Sequence, residues 1–409
     1  MPVFSFTGLV IGSVIYSFPF ALQPLRQTFA AIGKEPLEVA ATLGANRLDC
    51  FRYIILPQSI SGFISAAVLC FAHTIGEFGV ALMLGGNIPG STKLISMMIY
   101  EHAETLNYAR ANTVAVMLEK TIKSSAAISG IGIHAGKYVN MVLHPAPDNH
   151  GIVFNKKTAA GNILIPASYQ YAVESELCTT IVRDGEHIRT IEHLMAALSA
   201  MEIDNVLIDI DGDEVPILDG SAKPYIDLLK KTGVRTLKTP RRYIEILSPV
   251  ELKHGESILS LKPAERTIYT CSIDFKKYPV IGEQKLTFIM DCEQFINDIS
   301  YARTFGFYDE NKRQQLYSRG LANGASFENT VFVHAEKGNI INDTGLRDSQ
   351  EFVKHKLLDA VGDMNLAGNK IIGHFSGIRP GHSLILKLLK QLFDHPESYR
   401  MITRAARAA

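Results

Sequence analysis

Residues 4–22 contain no charged side chain, a span close to the roughly 20 residues that the hydrocarbon core of a bilayer asks of a helix. Such a run can be placed only in lipid or in a protein interior. No basic segment precedes it and no small-residue cleavage pattern follows it, so a membrane-type helix fits better than a cleaved signal peptide. A second apolar run, residues 60–84, is interrupted by His73 and Glu77, which are costly in lipid unless they face protein or water. The text changes at Met117. From there apolar side chains alternate with period two, as at Val139, Met141 and Leu143, between Gly and Pro punctuation. That is the pattern of half-buried strands in soluble α/β material. A 409-residue chain with such a break implies two or three domains.

Charge and cysteine usage narrow the function classes. Lys and Arg total 41 and Asp and Glu total 41, so the net charge is zero and no basic face for nucleic acid is indicated. Cys50, Cys70, Cys178, Cys271 and Cys292 are scattered without CxxC spacing. That argues against a disulfide framework or a cysteine metal cage and suits a reducing compartment.

Between the two apolar runs lies Glu35-Pro-Leu-Glu-Val-Ala-Ala-Thr-Leu-Gly44, followed by Ile54-Ile-Leu-Pro57. The pattern resembles the cytoplasmic coupling loop of binding-protein-dependent ABC permeases, matched here by Glu38, Ala40, Gly44, Ile54, Leu56 and Pro57, with Val39 departing from the usual alanine. Gly76-Glu-Phe-Gly79 and Gly86-Asn-Ile-Pro-Gly90 resemble the molybdate-type members. The resemblance covers residues 1–116 and implies an all-α, membrane-associated segment with an ATPase-docking loop at 38–57. It is a truncated one, because the last spanning helix would start near Ala109 and stop near Val116.

The remainder shows a weak internal repeat. One copy runs from a helix around His193 through a strand 205–210 and the turn at Asp219-Gly-Ser to a helix around Tyr225. The other runs from a helix around His355 through a strand 370–375 and the turn at Pro380-Gly-His to a helix around Leu384. Two sheet-plus-helix-pair domains packed face to face would bury both helix layers. The expected fold is therefore α+β, with domains at 117–242 and 243–405 after the helical segment 1–116.

Three local patterns carry chemistry. In Glu351-Phe-Val-Lys-His-Lys-Leu-Leu-Asp359-Ala-Val-Gly-Asp363, His355 and Asp359 fall on one helix face, a turn apart. They could take two corners of a metal tetrahedron, although such a pair alone is an ordinary helix-surface feature. Thr190-Ile-Glu192-His193 offers a third ligand from another helix and, in Glu192, a carboxylate suited to general-base work in metal-assisted hydrolysis. His382 follows Gly381 at the start of a helix. The helix dipole would lower its pKa, and a nearby carboxylate, for which Asp363 is the candidate, would raise it again. Protonated, His382 could stabilise an oxyanion and then protonate a leaving amine.

Together with Ser129-Gly-Ile-Gly-Ile-His134, Cys178-Thr-Thr, Glu214-Val-Pro-Ile-Leu-Asp-Gly-Ser, Ala302-Arg-Thr-Phe-Gly-Phe307 and Arg319-Gly-Leu-Ala-Asn-Gly, these patterns resemble the UDP-3-O-acyl-N-acetylglucosamine deacetylases of lipid A synthesis almost end to end from Met117. The resemblance implies a zinc-dependent amidohydrolase that releases acetate from UDP-3-O-acyl-N-acetylglucosamine. It implies Zn2+ on His193, His355 and Asp359, and catalysis by Glu192, His382, Asp363 and Thr304. It further implies that Lys356, Phe305 and His134 contact substrate, that the segment 308–320 borders an apolar passage for the acyl chain, and that Cys178 lies near the metal without binding it. Other divalent metals would also suit such a His2Asp set.

The two resemblances conflict in topology. A cytoplasmic coupling loop, in keeping with Arg26, Lys34, Arg47 and Arg52, followed by one outward helix would strand the enzyme away from UDP-sugars. The expectation is a cytoplasmic deacetylase, with residues 1–116 a permease remnant from a fusion of adjacent genes or translation starting at Met117, and inner-membrane placement only if they are translated. The competing expectations are a membrane tether for the enzyme, or a subunit of a molybdate-type ABC transporter with an appended enzyme domain.

Overall fold

The computed structural model describes residues 6–76, 118–159 and 161–403. Residues up to Met117 and residues Leu118–Arg404 separate into two compact units. Glu77, the motifs at 77–79 and 86–90, and the junction at 109–117 lie outside the described residues.

In the first unit, helix α1 (Phe6–Ile32) packs on helix α3 (Ile60–Gly76). Ser17 meets Thr74 at 3.2 Å near one end, and Gly62 lies against Thr28 at the other, so close that a Cβ there would fall 2.3 Å from the Thr28 hydroxyl. The pairing is therefore antiparallel. His73 stacks on Phe20 with ring centroids 4.0 Å apart, so this polar residue of the second apolar run faces protein. The apolar run at 4–22 does not end as a separate span, because α1 continues through Pro19 and Pro24 to Ile32. Helix α2 (Glu35–Thr42) ends before Gly44, whose φ of 84° is the left-handed conformation that glycine adopts without strain. Asn46 then caps the next turn reciprocally with Asp49. Among the described residues no single helix is long and apolar enough to cross a membrane. One bent pair, Arg47–Gln58 with Ile60–Thr74 at 62°, passes that test by length and composition.

In the second unit the internal repeat is a repeat of topology. The first sheet comprises β1 (Ala126–Ile131), β2 (Tyr138–Pro145), β3 (Ile152–Thr158), β4 (Gly161–Pro166) and β5 (Val206–Ile210) in the order β1-β2-β5-β3-β4. The second comprises strands 250–254, 257–262, 268–275, 282–289 and 374–378, and in both sheets the last strand in sequence inserts at the centre. That strand is antiparallel to the second member and parallel to the third in each case. One sequence-based expectation is corrected. The segment 370–375 is not one strand but two, Lys370–Ile372 and His374–Ile378, which belong to different sheets. The break falls at Gly373, where a Cβ would lie 2.7 Å from Ile246.

Helices α4 (Glu192–Ala200) and α5 (Lys223–Thr232) flank β5 of the first set in sequence, and α6 (Glu310–Ser318), α7 (Glu351–Met364) and α8 (His382–Asp394) accompany the second. Helix α5 buries Tyr225, Ile226 and Leu229, and α8 buries Ile385, Leu386, Leu388, Leu389 and Leu392, the apolar stripe of a helix lying on a core. Helices α4 and α7 are buried on nearly all sides, as expected of helices sandwiched between layers. They pack on each other at Gly362, where a Cβ would lie 2.0 Å from the Glu192 carbonyl oxygen. The motif residues of both helices therefore sit at the centre of one continuous core.

Glu202, just past α4, gathers cations from distant segments: Lys120 at 2.5 Å, Arg241 at 3.0 Å and Lys370 at 3.6 Å. Burial raises its pKa, but the charges of Lys370, Lys120 and Arg241 outweigh that and hold it near about 2, against an ordinary 4.5. The depressed value means that Glu202 contributes stability fully above its unfolded pKa and loses it as pH falls through about 2. Glu202→Gln should therefore flatten the decline in stability between about pH 4.5 and 2 and lower stability at neutral pH, as read from chemical denaturation across pH.

Candidate active site

The pair at one-turn spacing on α7 meets the first residues of α4. His355 Nε2 lies 3.3 Å and His193 Nε2 lies 3.6 Å from Asp359 Oδ1, and the ligand atoms of all three residues fall within 4.8 Å of one another. All three are buried. The His355 Nδ1–H donates to the Ala302 carbonyl at 3.0 Å, which leaves the Nε2 lone pair aimed at the cluster. Burial pushes the His355 pKa down to about 3, with Asp359 opposing and His193 and Lys356 adding to the shift, so the ring is the neutral imidazole that a metal needs. Burial opposes ionisation of Asp359, but its interactions with His355, the Lys356 ammonium and His193 prevail and hold it well below the carboxylate range. Asp359 Oδ1 is buried without a hydrogen-bond partner, an expense that proteins rarely bear without an ion or a function. Two imidazoles, a carboxylate and an orphaned oxygen at one point fit a divalent metal.

Around this point stand the other polar groups. Glu192 is buried, and its Oε2 accepts the Thr179 backbone N–H at 3.0 Å. Burial raises its pKa to about 7, with the His382 charge pulling the other way. His382 is the first residue of α8, and its Nδ1–H donates to Asp363 at 2.8 Å while Nε2 faces Asp359 at 3.9 Å. Burial alone would lower its pKa, but Asp363, Glu192 and Asp359 raise it to about 10. Lys356 Nζ donates to Asp359 Oδ2 at 2.8 Å and lies 5.7 Å from the Phe305 ring centroid. The structure thus brings every motif residue named from the sequence to one place. Thr304, Phe305, Lys356 and His134 border a cavity of about 620 Å³ with the His and Asp cluster in its wall. Asp363 and Cys178 lie behind it, around a small void beside His382. Phe305 also packs edge-on against Phe352, centroids 5.0 Å apart, so it belongs to the core as well as the cavity. Phe307, Leu316 and Phe332 are shared with a second cavity of about 280 Å³ that also touches Phe327, an apolar extension beside α6.

Two contributors were not anticipated from sequence. Thr179 binds Glu192 through its N–H, and its hydroxyl donates a short hydrogen bond to Asp363 and accepts from His382 Nδ1 at 3.3 Å. The Cys-Thr-Thr motif marked it but gave it no task. Glu214, fully buried, accepts the backbone N–H groups of His134 (2.8 Å) and Ala135 (2.8 Å) and the Thr190 hydroxyl (2.8 Å), tying the His134 loop to the turn that leads into α4.

Comparison with known proteins agrees with this geometry. The family profile described as UDP-3-O-acyl N-acetylglycosamine deacetylase matches residues 119–394. The chain belongs to this family. A protein from Myxococcus xanthus (strain DK1622) described as UDP-3-O-acyl-N-acetylglucosamine deacetylase is 41% identical over 285 residues, covering 69% of this chain and 89% of the relative. Proteins of the same description from Geotalea uraniireducens (strain Rf4) and Nautilia profundicola (strain ATCC BAA-1463 / DSM 18972 / AmH) are 39% and 40% identical and are covered over 91% and 95% of their lengths. A second profile, binding-protein-dependent transport system inner membrane component, matches residues 2–124 and overlaps the first over residues 119–124.

Removing a cluster residue should remove the metal. His355→Ala and Asp359→Ala proteins, dialysed and analysed by elemental mass spectrometry, should bind well below stoichiometric divalent metal while the wild type retains it. Equal metal content in all three would exclude this site.

Proposed function

We propose that the chain hydrolyses the N-acetyl group of UDP-3-O-acyl-N-acetylglucosamine, giving UDP-3-O-acylglucosamine and acetate, with His193, His355 and Asp359 holding zinc. The observation that carries the reading is the convergence of that cluster with Glu192 and the His382–Asp363 pair at the wall of one cavity. The chemistry that a bound divalent ion supplies is Lewis acidity toward an amide carbonyl and toward water. Glu192, with a pKa near 7, is poised to take the proton of the attacking water. Protonated His382 and the Thr304 hydroxyl donate to the oxygen that gains charge as the acetamide carbonyl is attacked. His382 then passes its proton to the departing amine, and Asp363 keeps it charged and oriented until that step. Lys356 and His134 line the cavity where polar parts of the UDP-sugar would bind. Phe305 lines the same cavity, and the apolar extension beside α6, reached past Phe307, Leu316 and Phe332, suits an acyl chain. The repeated sheet topology supports division of the enzyme into domains 117–242 and 243–405, and its UDP-sugar substrate places its work in the cytoplasm.

Residues 1–116 carry a second reading. Val14, Ile15 and Phe18 on α1 and Ile64, Val68 and Phe71 on α3 are exposed apolar side chains, and the transport-component match covers the same segment. Such a surface supports contact with the inner membrane when these residues are translated. The coupling-loop motif at 38–57 then marks a vestigial ATPase-docking site.

Acetate release from UDP-3-O-acyl-N-acetylglucosamine should be chelator-sensitive, and Glu192→Gln should lower it by about 10²–10⁴-fold. Activity should rise as pH increases through about 7, where Glu192 ionises, and fall as pH climbs toward about 10, where His382 loses its proton. Asp363→Asn removes a charge that lifts His382 and should move the alkaline limb of kcat/KM to lower pH; an unmoved limb would sink the assignment of His382 as the acid. In vesicle flotation the full chain should rise with inner-membrane lipids and a chain beginning at Met117 should stay behind. Equal behaviour would dispose of the membrane reading.

A further inference from the structure

Arg303 stands between Ala302, whose carbonyl orients His355, and Thr304, which faces the cavity. Its guanidinium closes on Glu351, with Nε donating to Oε1 at 2.8 Å and Nη2 to Oε2 at 3.1 Å. The Arg303 backbone N–H donates to Oε1 at 3.0 Å, and Nη2 also reaches the Gly345 carbonyl at 2.7 Å. Glu351 Oε2 accepts the Arg347 N–H at 2.6 Å. Both side chains are buried, Glu351 completely. Glu351 begins α7, one turn before His355.

A buried ion pair is a poor way to stabilise a fold, because well-packed apolar residues often do as well. Its geometric effect here is specific. The two-pronged contact, with a main-chain N–H added, fastens residue 303 to the helix that bears His355 and Asp359. On one side of 303 the Ala302 carbonyl is set 3.0 Å from His355 Nδ1. On the other, Thr304 is held through its own backbone, donating to the Gly220 carbonyl at 2.8 Å and accepting from Val331 at 2.8 Å. The partner that orients a metal ligand and the hydroxyl that meets the substrate thus lie on one three-residue strip bolted to the metal helix at its middle residue.

We propose that the Arg303–Glu351 pair is a positioning device that couples the orientation of His355, through the Ala302 carbonyl, to the placement of the Thr304 hydroxyl at the reacting carbonyl. The proposal rests on the deacetylase reading of the site. Neither Arg303 nor Glu351 touches the cavity, so both act through their neighbours.

The test compares wild type, Arg303→Lys, Glu351→Gln and the double variant Arg303→Met/Glu351→Leu. The readouts are metal retention against a chelator, the visible absorption of the cobalt(II)-loaded proteins, kcat and KM, and Tm. Arg303→Lys keeps the charge but loses the fork. It should hold metal about 10–100-fold less tightly, as for loss of other outer-shell partners, with an altered cobalt spectrum, a lower kcat and a KM little changed. The double variant replaces the pair with apolar volume and should recover Tm but not metal affinity, cobalt spectrum or kcat, and it decides the matter if the single variants do not fold. Variants that lose only Tm, with wild-type metal affinity, cobalt spectrum and kcat, would overturn the proposal by showing the pair to be structural. A wild type that neither retains metal nor releases acetate would overturn the deacetylase reading itself, a result separable from any difference among the variants.

Discussion

Everything in the enzyme unit depends on how closely α4 and α7 cross. Both helices are enclosed by protein, and at Gly362 the backbone of one lies against the Glu192 carbonyl of the other with no room for a Cβ. That contact sets the first turn of α4 against the second half of α7, and it is why Glu192 and His193 can lie close to His355, Asp359 and Asp363. A methyl group at 362 would have to push the helices apart, and packed interiors yield little. The ligand atoms would separate with them. The glycine is therefore a distance setting for the metal cluster, although it offers no chemistry of its own.

The charges at this crossing are arranged so that each buried group has a counterpart. Unpaired ionised groups are costly in such surroundings. Asp363 and His382 form one pair, Glu192 is drawn toward neutrality by burial, and Asp359 keeps one oxygen without a hydrogen-bond partner, which a divalent cation would satisfy. The proposed proton acceptor and proton donor differ through their neighbours: a carboxylate with its pKa raised to about 7 and an imidazole with its pKa raised to about 10 stand beside the same cluster.

Much of this was legible in the sequence wherever the information is local. The one-turn spacing of His355 and Asp359, the adjacency of Glu192 and His193, and the helix start at His382 follow from helix geometry over a few residues. The α+β class and the repeat were legible from periodicity and spacing. What escaped depends on long-range pairing. Thr179 finds Asp363 across 184 residues and Glu214 finds His134 across 80, and no spacing rule links residues so far apart. The broken strand at Gly373 escaped for a related reason, since six residues of strand-forming text do not reveal that they serve two sheets. The first unit was legible as apolar helices, but its apolar runs did not disclose that α1 would continue beyond Pro19 and Pro24.

The identical strand order of the two sheets bears on how such a centre can be assembled. The His and Asp cluster takes one residue from a helix of the first half and two from a helix of the second, and the proposed acid, His382, lies in the second while the proposed base, Glu192, lies in the first. Neither half alone holds all the residues of such a centre, so a half-length chain of this topology would need a second copy to assemble one. In a symmetric pair both copies would offer the same groups, whereas a single chain carrying the topology twice can place Glu192 in one half and His382 in the other.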